Sequence, residues 1–294
     1  MNKILLAGST GYLGGYILRE LLKGDFEIRT IVRNEKKLPK PALENSKLEI
    51  VEGELTNPKS IENCCLNVDT VISTVGITKQ KDGLTYMDVD HQANKYLLEE
   101  AQRSGVKKFI YVSVLKGDQL TNLKICEAKE KFVTALKKSG LDYCIIRPNG
   151  YFSDMGEFYE MARKGRVYLF GNGEYKVNPI HGADLAEICV NSIKSNDKEI
   201  PVGGPQTLTH NEIARIAFSV ADKRPKITHI PNWARKSILF LLRTFTSSKI
   251  YGPIEFFMTV LSMDLIGPEC GTHTLKEYFE ELKTAHNKVS TTLN

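Results

Sequence analysis

The chain has no hydrophobic run long enough to span a bilayer, and no long apolar leader with a cleavage site. Its 294 residues begin with MNKILLAG, which leads directly into a glycine-rich turn. A membrane-spanning helix needs about 20 predominantly apolar residues, and a secretory signal needs an apolar core ending in small residues. We therefore expect neither an integral membrane protein nor a secreted one, and we place the protein in the cytoplasm.

Cysteines are few, and their spacing fits neither a disulfide framework nor a metal site. None of the six forms a CxxC pair, and two of them are adjacent. Adjacent cysteines suit neither an ordinary disulfide nor the ligand spacing of structural zinc. We expect reduced thiols and no bound metal. The six are Cys64, Cys65, Cys126, Cys144, Cys189 and Cys270.

The chain also has little excess of either positive or negative charge. The chain has 40 Lys and Arg residues against 35 Asp and Glu residues, so the formal net charge is only +5. The basic residues are scattered, often beside acidic ones, which is typical of a solvated surface. We expect no nucleic-acid partner, because that function needs a concentrated basic face. The sequence indicates no particular oligomeric state.

What is present is an alternation of short apolar strands and amphipathic helices. The strands are rich in Ile and Val on both faces, which predicts a parallel sheet covered by helices. We expect an α/β fold, a doubly wound Rossmann sheet with helices on both faces, in residues 1–150, with strands returning from about 175–205. Residues 151–294 form a smaller, mostly helical substrate part. Its last helix is expected to end near residue 283, before a disordered tail.

The central motif is the glycine-rich turn between the first strand and the first helix. Gly8 permits a tight turn, Gly11 lets the backbone approach a diphosphate, and Gly14 lets helix and strand pack closely. Amide groups and the positive end of the helix would face the anion. The motif predicts dinucleotide binding. The residues assigned to this turn are Gly8, Ser9, Thr10, Gly11, Tyr12, Leu13 and Gly14.

The ends of the next strands supply the rest of the predicted cofactor site. Arg33 follows the second strand, where a site for NAD usually has an acid for the ribose diol. A guanidinium suits the 2′-phosphate, so we expect NADP(H) rather than NAD(H). Glu54 and Leu55 follow the third strand, where the adenine would lie. Small residues end the fourth strand and leave room for the adenosine and ribose moieties: Ser73, Thr74, Val75 and Gly76.

These motifs resemble those of an atypical short-chain dehydrogenase/reductase. The resemblance also rests on Tyr111-Val-Ser113, Lys129 and Ile146-Arg147-Pro148. Later segments are similar to a narrower branch that includes NmrA-like regulators, divinyl chlorophyllide 8-vinyl reductase and related photosystem assembly factors. The resemblance runs to about residue 220. The later segments begin at Tyr151, Phe170, Asn178, Asp184 and Gly203.

The sequence departs from the family at its catalytic Tyr-x-x-x-Lys pattern, because Ile125 stands where the tyrosine belongs. The resemblance implies that Lys129 holds the nicotinamide ribose and tunes a nearby proton donor. Ser113 corresponds to the family's serine and would contact substrate or cofactor. Tyr151 follows the sixth strand and would face the nicotinamide, either as a donor or as a wall of the pocket. A contact with substrate is also considered for His181.

The segment 233–263 combines apolar bulk with flanking basic residues. It predicts two helices, over residues 233–245 and 253–262. Three interpretations stay open: helix packing, a lid over a large apolar substrate, and peripheral contact with a membrane surface.

Two functions follow. The first is an enzyme that transfers hydride from NADPH to a carbonyl or an activated C=C bond of a hydrophobic small molecule. The second is a non-catalytic NADP(H)-binding redox sensor or assembly factor. The missing tyrosine favours the second, whereas reduction of an alkene need not use that acid.

Overall fold

The computed structural model of the protein describes residues 2–77 and 83–292. Its chain divides into two compact units. One contains the residues up to Arg147 together with Leu185–Pro201, and the other contains Pro148–Asp184 together with the chain from Val202 onward. Among the described residues, no helix has both the length and the apolar character needed to cross a membrane.

The first unit is built on a seven-stranded sheet. Its strands are β1 (Asn2–Ala7), β2 (Phe26–Val32), β3 (Leu48–Glu52), β4 (Thr70–Ser73), β5 (Lys108–Val112), β6 (Asp142–Pro148) and β9 (Glu199–Val202). They lie in the order β3-β2-β1-β4-β5-β6-β9, and the pairs from β3 to β6 are parallel. The order reverses between β1 and β4, which is where ligands bind in open α/β sheets.

Helices connect these strands and cover the sheet. They are α1 (Tyr12–Lys23), α2 (Lys40–Leu43), α3 (Asn94–Arg103), α4 (Lys124–Lys137) and α6 (Gly182–Asn191), with short 3₁₀ turns at Glu35–Lys37, Pro58–Ile61 and Gly117–Gln119. On one face, Leu5 of β1 and Phe109 of β5 share a core cluster with Leu97 of α3 and Phe132 of α4. Successive side chains of a strand alternate between faces, so Ile4 of β1 lies on the other face. The predicted doubly wound sheet is confirmed.

A π-helical segment, Met87–Ala93, leads directly into α3. The sequence predicts an ordinary α-helix over this segment, whereas the structure has the wider turns of a π-helix. The side-chain amide of Asn94 donates to the carbonyl oxygens of Val89 at 3.2 Å and Asp90 at 3.0 Å. The wide turns therefore keep hydrogen-bond partners for these carbonyls, and they present Asp90 to the interior.

The second unit contains five helices and two small sheets among its described residues. They are α5 (Phe152–Arg163), α7 (His210–Val220), α8 (Asn232–Phe245), α9 (Ser248–Val260) and α10 (Leu275–Thr292), with β7 (Val167–Phe170), β8 (Lys176–Val177), β10 (Leu208–Thr209) and β11 (Ile227–Ile230). Strand β7 pairs with β11 in parallel, and β8 pairs with β10 antiparallel. Helices α5, α7 and α10 pack together around buried aromatic side chains such as Phe218 and Phe279.

Two helix boundaries differ from those expected. Helix α9 begins at Ser248, five residues before the predicted start, with Pro253 inside the helix. Pro253 is the sixth residue of this helix, so it lies past the first turn, and as a proline it donates no backbone hydrogen bond to the turn before it. Helix α10 runs to Thr292, so residues 284–292, which were expected to be disordered, are helical. This segment contains no glycine or proline that would interrupt a helix. It is largely polar, and for that reason the sequence was interpreted as disordered.

Candidate functional site

The glycine turn sits at the carboxyl end of β1 and is shaped by close backbone contacts. Gly8 has φ +91°, a left-handed conformation that favours glycine, and a Cβ atom there would lie 2.5 Å from Thr74 Oγ1. A Cβ atom on Gly14 would lie 2.0 Å from the carbonyl oxygen of Gly8. The turn therefore depends on glycine at both positions, as a diphosphate cradle requires.

The turn presents backbone amides and the start of helix α1 to the loop. The amide of Gly11 donates to Gly8 O at 2.9 Å, and the amide of Gly15 donates to Gly11 O at 2.9 Å. The amides of Leu13 and Gly14 precede that helical ladder, at the positive end of the helix. The Ser9 hydroxyl lies 2.6 Å from the Thr30 hydroxyl and is buried, so it anchors the turn to β2.

Arg33 and Glu54 lie together beyond the ends of β2 and β3. The Arg33 Nε atom is 3.7 Å from Glu54 Oε2, and the two side chains are 61% and 40% exposed. The guanidinium is therefore accessible to a phosphate, but it has a carboxylate as a neighbour. Leu55 packs against the core cluster, while the Glu54 amide donates to Ser60 Oγ at 2.9 Å.

The loop after β4 is tied both to the glycine turn and to helix α3. Thr74 Oγ1 donates to Ala7 O at 3.2 Å. Ser73 Oγ donates to Asn94 Oδ1 at 2.6 Å, and the Asn94 amide donates to Val75 O at 3.1 Å. These bonds hold the ends of β1 and β4 side by side and fix the residues predicted to face the cofactor.

Lys129 lies at this same loop, paired with an acid that the sequence analysis missed. Its Nζ is 3.0 Å from Oδ1 of Asp90, which is fully buried, while the lysine side chain is 13% exposed. A Cβ atom on Gly76 would lie 2.5 Å from Asp90 Oδ1 and 2.9 Å from Lys129 Nζ. Burial raises the pKa of the Asp90 carboxyl, and the charge of Lys129 acts against that rise.

Ser113 belongs to a different polar cluster. Its hydroxyl donates to Glu130 Oε1 at 3.1 Å, and Glu130 accepts two bonds from Arg147, at 2.6 and 3.0 Å. Arg147 Nε also donates to Glu199 Oε2 at 2.8 Å. The bidentate pair ties α4 to β6, and Ser113 is held by it. Sequence reasoning also missed Glu130, although its place next to Lys129 was the available signal.

The position that the resemblance assigns to the catalytic tyrosine is occupied by an apolar residue, next to a neutral thiol. Ile125 lies in the first turn of α4 and is buried, one helical turn before Lys129. The adjacent Cys126 is fully buried, and burial raises the pKa of its thiol to about 12. The thiol is therefore neutral at ordinary pH.

Tyr151 and His181 belong to the second unit. Tyr151 precedes α5, and its amide donates to Asp154 Oδ2 at 3.2 Å. His181 stacks on His273 with ring centroids 4.3 Å apart, and His273 Nδ1 lies 2.7 Å from Asp184 Oδ1. Asp184 accepts further bonds from the amides of Thr272 and His273, so it holds that loop.

Taken together, the strand order and the glycine turn define a dinucleotide-binding Rossmann protein. The sequence profile of a family described as NAD(P)H-binding matches residues 8–196. The chain belongs to this NAD(P)H-binding family, and the cofactor class expected from the glycine turn is confirmed.

Two kinds of relative cover most of the chain. Divinyl chlorophyllide a 8-vinyl-reductase of Arabidopsis thaliana is 27% identical over 97% of this chain and 74% of its own length. Photosystem II assembly factor Ycf39 of Trieres chinensis is 27% identical over 86% of this chain and 77% of its own length. The resemblance expected from the motifs is therefore confirmed.

Solved structures support the fold. A nucleoside-diphosphate-sugar epimerase of Staphylococcus aureus superposes with a TM-score of 0.72 at 17% identity, covering 95% of this chain and all of its own. An NADPH-dependent quinone oxidoreductase of Escherichia coli, complexed with NADPH, superposes with a TM-score of 0.70 at 18% identity, covering 95% of this chain and 99% of its own.

Proposed function

We propose that the protein is an NADPH-dependent oxidoreductase that reduces a carbonyl or an activated C=C bond of a hydrophobic small molecule. The observation that carries this proposal is the position of Lys129, whose Nζ lies against Gly76 at the end of β4. A structural lysine on an ordinary helix surface would lie in solvent, whereas this one is 13% exposed and directed into the predicted cofactor site.

Each residue of the first unit has a role in this proposal. The amides of Leu13 and Gly14 would bind the diphosphate, and Arg33 would bind the 2′-phosphate. Lys129 would donate to the hydroxyls of the nicotinamide ribose and would place a positive charge beside the bound cofactor. Bound NADPH would supply the hydride. Ser113 remains a proposed substrate contact in this unit.

A second candidate function is a non-catalytic NADP(H) sensor or assembly factor. Ile125 favours it, because an apolar side chain stands where the family's phenol would donate a proton. The name of the Trieres relative points to the same kind of role. Reduction of an alkene is compatible with Ile125, and the name of the Arabidopsis relative, a vinyl reductase, is the reason to place the enzyme first.

Turnover separates the two functions. We expect oxidation of NADPH by the purified protein when it is given a panel of quinones, enones and porphyrin precursors, and we expect Lys129→Met to slow it strongly. The measurement is the loss of NADPH absorbance, with binding followed in parallel by NADPH fluorescence. Saturable binding without turnover on any member of the panel would support the sensor or assembly role instead.

We further propose that the segment 233–263 rests on an anionic membrane surface, with the protein otherwise in the cytoplasm. Of the ten large hydrophobic side chains exposed among the described residues, six lie between positions 233 and 250. Trp233, Phe240 and Phe245 are 71%, 69% and 77% exposed. Packing of α8 on α9 buries Leu239, which leaves this apolar surface uncovered in the second unit.

Charge favours an anionic lipid surface as the occupant. Residues 233–263 contain four cations against a single carboxylate, Glu255. That carboxylate is buried and paired with Arg243. Aromatic residues flanked by bases are typical of helices that lie in the membrane interface. The cations are Arg235, Lys236, Arg243 and Lys249.

Removing the two most exposed phenylalanines of α8 should release the protein from vesicles. We expect Phe240→Ser/Phe245→Ser to lower binding to phosphatidylglycerol-containing vesicles at least roughly tenfold, because each buried phenylalanine contributes about 1.5–3 kcal/mol. Flotation with and without phosphatidylglycerol measures this. Tyr168→Ser is the matched control, since Tyr168 is exposed on β7 of the same unit. Equal binding of the double variant and the wild type would refute the membrane contact.

A further inference from the structure

The Asp90–Lys129 pair combines features that an ordinary surface ion pair lacks. Asp90 has no exposed surface, and its partner lysine is 13% exposed. An ionised carboxylate is taken out of water only at a large cost in free energy, which a close counter-charge and hydrogen bonds must offset. Here Asp90 Oδ2 accepts from the amide of Ile77 at 3.2 Å, while Oδ1 faces the ammonium.

The other titratable groups around the pair do not supply that counter-charge. Tyr111 lies with its ring centroid 5.5 Å from Lys129 Nζ, and burial raises the pKa of its phenol to about 12. Cys126 is neutral for the same reason. Glu130 is committed to Arg147 and Ser113. Asp90 is therefore the acid that governs the position and the charge of this ammonium.

The backbone around Asp90 is shaped to hold the carboxylate in this place. It sits in the π-helical segment Met87–Ala93, and such wide turns occur frequently at functional sites. Gly76 leaves no room for a side chain between the loop after β4 and the pair. The ammonium therefore lies against the loop that was predicted to leave room for the adenosine and ribose moieties of the cofactor.

We propose that Asp90 is the positioning residue of the cofactor site, holding Lys129 charged and fixed beside Gly76 in a site that lacks the family's tyrosine. The inference rests on the proposed function in one respect, namely that Lys129 contacts the bound dinucleotide. Asp90 itself touches neither cofactor nor substrate and acts through the lysine.

The test is the pH dependence of NADPH affinity in Asp90→Asn, measured by fluorescence titration of the full chain. The asparagine keeps the shape but leaves a buried ammonium without its counter-ion, and desolvation then makes that ammonium lose its proton at a lower pH. We expect wild-type affinity to change little between about pH 6.5 and 9. The NADPH affinity of the variant should fall roughly ten- to hundredfold over the same pH range.

Two further variants distinguish positioning from a merely structural role. Asp88→Asn is the matched control, because Asp88 lies on the same segment but is exposed, and it should leave the pH profile unchanged. In the Lys129→Met background, Asp90→Asn should add no further loss of affinity, since Asp90 acts only through the lysine. If Asp90→Asn alone fails to fold, the comparison of Lys129→Met with the double variant still tests the proposal.

The outcomes separate the inference from the proposed function. If wild type does not bind NADPH, or Lys129→Met binds it equally well, the proposed function of the site is wrong. Suppose that Lys129→Met binds NADPH more weakly, but the pH profile of NADPH affinity in Asp90→Asn is parallel to that of wild type. Only the proposed role of Asp90 is then overturned. An additional loss from Asp90→Asn in the Lys129→Met background would also overturn it.

Discussion

Gly14→Ala is expected to weaken NADPH binding by at least roughly 100-fold, which corresponds to about 2.7 kcal/mol. The added Cβ would lie 2.0 Å from the carbonyl oxygen and 2.6 Å from the carbonyl carbon of Gly8. Carbon atoms in contact are normally 3.5–4.0 Å apart, so helix α1 or the turn must move. That movement misdirects the amides that face the diphosphate. Overpacking of this kind should also lower the free energy of unfolding by about 1–3 kcal/mol.

The neighbouring glycine provides the control. A Cβ atom on Gly15 would lie 3.7 Å from Ser9 O, an ordinary contact. Gly15→Ala should therefore keep NADPH affinity and raise helix stability by about 0.5–1 kcal/mol. Calorimetric titration and thermal unfolding of both variants measure the two effects. A folded Gly14→Ala protein with wild-type affinity would show that the diphosphate does not lie in this turn.

Arg33→Ala is expected to lower NADPH affinity by roughly ten- to hundredfold while leaving NADH affinity unchanged. A hydrogen bond to a charged group contributes about 1.5–3 kcal/mol, and only NADPH has the 2′-phosphate that would receive it. The side chain is 61% exposed and can reach a ligand. Titration of wild type and variant with both reduced cofactors gives the ratio of NADPH affinity to NADH affinity in each protein.

Two comparisons sharpen this prediction. Arg19→Ala removes an exposed guanidinium from α1, where it contacts Tyr16 and Gly15 O, and should not alter the ratio. Glu54→Gln removes the carboxylate 3.7 Å from Arg33 and should tighten NADPH. An unchanged ratio in Arg33→Ala would mean that the choice between NADP(H) and NAD(H) is made elsewhere.

The features predicted well from the sequence are those set by local patterns. Short runs of Ile and Val, such as the one in β4, mark buried strands, because burial on both faces leaves few polar positions. Gly8 and Gly14 are informative because no other residue fits their backbone geometry. A threonine before an apolar-periodic segment marks a helix start in the same way: Thr209 Oγ1 accepts from the amide of Glu212 at 3.1 Å, at the start of α7.

The features that were missed depend on contacts distant in sequence. Asp90 reads as one polar residue of an amphipathic helix, and nothing nearby in the chain indicates a partner 39 positions away. Its burial follows from the wide turns of the π-helical segment, which sequence periodicity does not reveal. Glu130 was overlooked because its partner, Arg147, is also distant in sequence. Arg147 lies on strand β6, which comes into contact with α4 only in the folded protein.

The bonds joining the ends of β1 and β4 have a consequence for affinity. Thr74, Ser73 and Asn94 link the diphosphate turn to the loop that carries Gly76, and Gly76 in turn touches Asp90 and Lys129. The residues proposed to bind the two halves of the dinucleotide are thereby held together by bonds within the protein. Binding would then cost little conformational entropy, so we expect a modest number of contacts to suffice for a tight complex.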